Sequence, residues 1–168
     1  MSPRVTVQAE DFNLEHEVSR LRAGDAGVGA VVTFVGTVRD RNTSAAAGEV
    51  SLLELDHYPG MTARAIESMI DAALLRFPAV RGVRVIHRIG VLKPCDQIVL
   101  VAVTSAHRGE SFSACEFLMD YLKTQAPFWK KEHRPDGTSV WVDARVADDA
   151  ALQRWGLQGN NAAALPHA

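Results

Sequence analysis

The sequence predicts an α+β domain, a mixed and largely antiparallel sheet of about six strands with two main helices. Three observations carry that prediction. Short β-branched runs recur along the chain, the longest being GVGAVVTFVGTVRD from Gly27. Between them, two stretches place apolar residues at helical spacing, one from Thr62 to Phe77 and one from Ser111 to Thr124. Turns bearing proline or glycine separate these segments. The 168 residues, 47% of them hydrophobic, suffice for one domain with one core. Residues 1–150 are expected to form that domain, with 151–168 as a partly disordered extension ending in the patternless GNNAAALPHA.

In chain order, Arg4–Gln8 alternates and reads as a short strand. Asn13 is a suitable N-cap for a helix to Arg22, and Gly24 stops it. The run from Gly27 is a long, mostly buried strand ending near Arg39. The small, polar RNTSAAAGE after it is a loop. Val50–Tyr58 is a strand broken by Pro59-Gly60. Thr62 is placed to cap the next helix, whose stripe is Ile66, Met69, Ile70, Ala73 and Leu74. Val83–Ile89 and Gln97–Thr104 are strands joined by the turn Lys93–Asp96. Phe112, Cys115, Leu118, Met119 and Leu122 form the buried stripe of the second main helix, which Pro127 ends. A hairpin follows, turning at Pro135-Asp136-Gly137 and returning along Ser139–Asp143.

Charge and composition remove several functions. With 18 basic and 20 acidic residues the net charge is −2, which argues against a general polyanion binder. No apolar run reaches the roughly 20 residues that span a bilayer, and Met1-Ser2-Pro3-Arg4 opens no signal-peptide stretch. A cytoplasmic protein is expected. Cys95 and Cys115 lack C-x-x-C spacing and suit a reducing compartment as free thiols. None of the six histidines pairs with another ligand at metal spacing, so no metal site is expected. Gly27-x-Gly29 precedes a strand and fails as a dinucleotide loop. His87 shares a strand face with Val83, Val85 and Ile89 and reads as a packed histidine, and His57 is either a turn-stabilising donor, the better reading, or a pocket wall.

Two segments carry chemistry. Thr104-Ser105-Ala106-His107-Arg108 lies where a strand ends and a helix begins, and backbone N–H groups there favour anions. Taken alone, two solvated loop residues explain it slightly better. In MDYLKTQAPFWKKEH, Lys123 closes the helix and Lys130 follows Phe128 and Trp129. A terminal lysine commonly just complements the helix dipole. Apolar surroundings, however, would lower a lysine's pKa toward useful values. The helix separates His107-Arg108 from Lys123 by roughly 20 Å. One chain must fold back to unite them, or two chains must share them. Arg39, at a strand end, is either a surface charge or an anion clamp.

FVGTVRD, LDHYPGM, VIHRIG, TSAHR and MDYLKTQAPFWKKE stand in one order from about Val28 to Arg145. In that order they resemble the large, catalytic subunit of molybdopterin synthase. The resemblance implies an α/β hammerhead-type fold and no resident cofactor. It implies sulfur transfer from the thiocarboxylated C-terminal Gly-Gly of a small ubiquitin-like subunit to cyclic pyranopterin monophosphate, giving the molybdopterin dithiolene. It also implies a homodimer of this chain within a heterotetramer. Carried over by motif, Lys123 and Lys130 match the catalytic lysines. Arg39, His107 and Arg108 match substrate contacts, Thr37, Val38, Lys131 and Glu132 line the site, and Arg145 matches an arginine near it.

The chain departs from the family pattern at Asp56, where glutamate is usual, at Cys95, where the turn usually has glycine, and in the alanine-rich loop 44–48 and the C-terminal tail. A non-catalytic dimeric scaffold is the main rival, and retention of both lysines counts against it. An RNA- or nucleotide-binding module is the second, disfavoured by the neutral charge and by the lack of aromatics interleaved with basic residues.

Overall fold

In chain order the elements are β1 (Val5–Gln8), α1 (Leu14–Arg22), β2 (Ala30–Thr37), β3 (Leu52–His57), α2 (Met61–Arg76) and β4 (Val80–Arg88). There follow β5 (Gly90–Leu92), β6 (Gln97–Ser105), α3 (Arg108–Gln125), β7 (Phe128–His133), β8 (Ser139–Val142) and α4 (Val146–Gln153). The computed structural model describes residues 3–41, 49–142 and 146–157. Arg145, the 44–48 loop and the tail from residue 158 lie outside the described residues.

The strands form two four-stranded sheets, ordered β1-β4-β6-β2 and β5-β3-β7-β8. Among the described residues only β1 and β4 run parallel; the other pairs are antiparallel. The mixed, largely antiparallel character is as expected, but the expected single sheet of six strands is two sheets of four. Period-two alternation reveals a strand, not its neighbour, and the three-residue β5 is too short to alternate visibly.

β6 is the spine of the first sheet, with an almost wholly buried QIVLVAVTS. On one face Val83 and Val85 of β4 and Val99, Val101 and Val103 of β6 pack against Ile66, Met69 and Ile70 of α2 and Phe117 and Leu118 of α3. The α2 residues recur at the three- and four-residue steps of one helix face. Each large side chain so buried contributes about 1.5–3 kcal/mol. On the other face Ile86, Leu100 and Ala102 pack against Phe12, with Val18 and Leu21 of α1 alongside.

The caps divide. Asn13 Oδ1 accepts from the His16 N–H at 2.8 Å, the expected cap. Thr62 is not a cap. Gly60 holds that position, at φ 75°, and Thr62 lies inside α2, fully buried. Its hydroxyl donates to Pro127 O at 3.2 Å, and its Oγ1 accepts from the Tyr58 N–H at 3.1 Å. A buried hydroxyl is thereby satisfied, and the start of α2 is tied to the α3–β7 joint. Helix α3 begins three residues earlier than its apolar stripe suggests, because Arg108, Gly109 and Glu110 are polar first-turn residues.

The amphipathic signal of α4 was too short to read in the sequence. Leu152 is fully buried, and Trp155 meets the rings of Phe77 and Phe117 edge-on at 6.1 and 5.4 Å. The Trp155 Nε1–H donates to Asp120 at 2.8 Å. The boundary expected after residue 150 therefore falls inside α4.

A basic cavity between the sheets and the end of the long helix

Three pieces of chain converge on a cavity of about 620 Å³. The first is the end of β2. Gly36 sits at a register shift between β2 and β6, and a Cβ there would lie 2.9 Å from Val99 Cγ1. Glycine lets the strand turn inward at that point. The Val38 N–H donates to Asp96 O, and the Cys95 N–H donates to Val38 O, both at 2.9 Å. The 93–96 turn thus clamps Thr37-Val38-Arg39 against the cavity wall. Cys95 adopts φ 77° there, a left-handed conformation that glycine takes without strain. The departure at Cys95 leaves the turn formed.

The second piece is the C-terminal end of α3, which presents Met119, Leu122 and Lys123. Ala126 is extended, ψ 130°, as the residue before a proline must be, and Pro127 redirects the chain into β7. The third piece is β7 itself. Side chains alternate along a strand, so Phe128, Lys130 and Glu132 all line the cavity. Trp129 and Lys131 face away. Lys131 Nζ lies 5.4 Å from the Trp141 ring centre, a cation–π contact. Trp129 instead neighbours Tyr58, with ring centres 6.5 Å apart.

Thr37, Val38, Arg39, Lys123, Lys130 and Glu132 therefore meet in one cavity, joined by Arg41. Among the described residues its four cations face one carboxylate, the buried Glu132, so the cavity favours anions. Its floor is apolar, with Leu53, Leu55, Ile98 and Val99. Of the two aromatics that flank Lys130 in sequence, only Phe128 shares its surroundings. Lys123 itself is exposed.

His107 and Arg108 are not brought here. They are exposed at the other end of α3, and fifteen residues of continuous helix put Arg108 about 22 Å from Lys123 along the axis. The chain does not fold back to unite them. Sequence reasoning missed Arg41 and Phe34 at the cavity. It also missed His87 as a cavity residue. His87 does share the Val83–Val85 face, but at the end of β4 that face opens on the cavity. There the ring stacks on Phe128, with centres 3.7 Å apart. Burial pushes its pKa down to about 4. Among the described residues no cluster of His, Cys, Asp or Glu is placed to hold a metal.

The MoaE protein family model matches residues 7–125. The chain is 54% identical to the molybdopterin synthase catalytic subunit of Ralstonia nicotianae over 162 residues, 96% of this chain and 89% of that one. It superposes on a molybdopterin biosynthesis MoaE protein from Burkholderia ambifaria with a TM-score of 0.78, at 51% identity, covering 94% of this chain and all of that one. A chain from the complex of subunits 1 and 2 of molybdopterin-converting factor of Helicobacter pylori shares the fold, with a TM-score of 0.68 at 17% identity, covering 85% and 92%.

Proposed function

The chain belongs to the MoaE protein family, and on that premise we propose that it is the catalytic subunit of a molybdopterin synthase, a sulfurtransferase. It moves sulfur from the C-terminal thiocarboxylate of a small ubiquitin-like subunit to cyclic pyranopterin monophosphate, building the dithiolene of molybdopterin. The observation that carries this reading is the meeting of Lys123 and Lys130, from separate elements, in one cavity with Arg39 and Arg41. The thiocarboxylate, the phosphate and the oxyanion formed at the tail's carbonyl carbon all need positive charge. An amine within reach of that carbon can move a proton or accept the acyl group. We place the protein in the cytoplasm. Its cysteines Cys95 and Cys115 are free thiols, and no described helix is long and apolar enough to cross a membrane. Mixing the chain with thiocarboxylated small subunit and cyclic pterin should yield molybdopterin. No product from a partner active with another synthase would overturn the proposal.

His107 and Arg108 find a use in a homodimer. β2 is an edge strand of the first sheet. It runs from Ala30, opposite Ser105, to Thr37 at the cavity. Antiparallel pairing of two β2 edges about Thr33 and Phe34 would set the His107 end of one copy beside the cavity of the other. Each of these residues can give a charged hydrogen bond to phosphate, so His107→Ala and Arg108→Ala should each weaken pterin binding about tenfold. Small-subunit binding should change less, and calorimetry with each ligand separates the two. Mixed dimers of Arg108→Ala with Lys123→Ala chains should regain activity, because one of their sites is intact. Mixtures as inactive as either parent would show that Arg108 serves its own chain.

A further inference from the structure

His87 lines the cavity, yet the reading above gives it no part. Its ring is held on two sides. Phe128 stacks on its face, 18° from parallel, and Nδ1 lies 2.8 Å from Arg88 O. A carbonyl oxygen can only accept, so Nδ1 carries the hydrogen. Desolvation keeps the ring neutral at physiological pH. In a neutral ring with hydrogen on Nδ1, Nε2 holds a lone pair and nothing else. Among the described residues Nε2 has no hydrogen-bond partner.

The cavity's other polar side chains make this unusual. The Thr37 hydroxyl rotates and can donate as well as accept, whereas Arg39, Arg41, Lys123 and Lys130 only donate. They suit the anionic ends of the ligands and cannot satisfy an N–H. Glu132 can accept, but as a carboxylate, and it is buried in the wall of β7. His87 is therefore an uncharged acceptor with a fixed tautomer, set beside an aromatic face and the apolar floor. A flat, nitrogen-rich heterocycle has N–H groups to place, and an N–H buried without an acceptor costs binding energy.

We propose that His87 is a specificity-determining residue, accepting at Nε2 a hydrogen bond from a ring or amino N–H of the pterin while the basic side chains hold its phosphate. This rests on the pterin reading above. The tautomer assigned from Arg88 explains why a histidine suits the position better than another ring. Phenylalanine could stack on Phe128 but could not accept.

The test compares His87→Phe, which keeps the ring and removes the acceptor, with His87→Gln, which restores an acceptor oxygen. Calorimetry of the full-length protein with cyclic pyranopterin monophosphate, inorganic phosphate and the small subunit supplies the readout. His87→Phe should weaken pterin binding about tenfold and leave the other two ligands unchanged. His87→Gln should recover part of the loss. Thermal denaturation of both variants shows whether they fold as wild type does. Wild-type pterin affinity in a folded His87→Phe protein overturns the proposal. So does parallel loss of pterin and phosphate, or a loss confined to the small subunit. Failure of the wild-type chain to bind the pterin would instead overturn the functional reading itself.

Discussion

Lys123→Ala is expected to lower molybdopterin formation by about a hundredfold or more while leaving the fold unchanged, the range lost when a positioned proton-transfer group is removed. Lys123 is exposed in the last turn of α3, where its favourable term with the helix dipole is worth about 0.3–1 kcal/mol. Leu118 and Leu122, which anchor that turn, are buried independently of it. Single-turnover assays with thiocarboxylated partner, alongside thermal denaturation, separate the two effects. Turnover like that of wild type would remove Lys123 from the chemistry. A large fall in melting temperature with the activity would leave only a structural role.

Lys130→Ala should nearly eliminate product, whereas the adjacent Lys131→Ala should retain most of it. β7 is regularly extended from Phe128 to His133 and pairs with both β3 and β8, so adjacent side chains take opposite faces. Lys130 stands with Phe128 and Glu132 in the cavity. Lys131 stands over Trp141 on the far face, opposite Glu54. A cation there acts on the approach of charged partners, which salt screens. Lys131→Ala should therefore shift the ionic-strength dependence of the rate more than the rate itself. Assays of both variants at low and high salt decide the matter. Equal loss in the two would mean that the strand does not hold this alternation during turnover.

Much of the site was legible in the residues. Proline at 127 ended α3 just past Lys123, and the turn at 135–137 required a strand through Lys130. From these two facts alone, alternation separates Lys130 from Lys131. The ordered motifs then supplied roles that no spacing could. His87 shows where such reasoning stops. Alternation places it with Val83 and Val85, and from that a packed histidine follows. Only the stacking of His87 on Phe128, from the other sheet, reveals that the face they share ends in a cavity.

Local chemistry determined the elements of this protein: the Asn13 cap, the apolar stripes of α2 and α3, and the alternation of β7. Each depends on residues within a few positions of one another, where backbone geometry leaves few choices. The tertiary structure decided what stands beside what. It split one expected sheet into two, made Thr62 a buried strut under Pro127 rather than a cap, and put Arg41 and His87 into the cavity. It also kept His107 and Arg108 a helix length away from Lys123. Those contacts join residues tens of positions apart, and they follow from which hydrophobic faces bury together, a choice that no local pattern encodes.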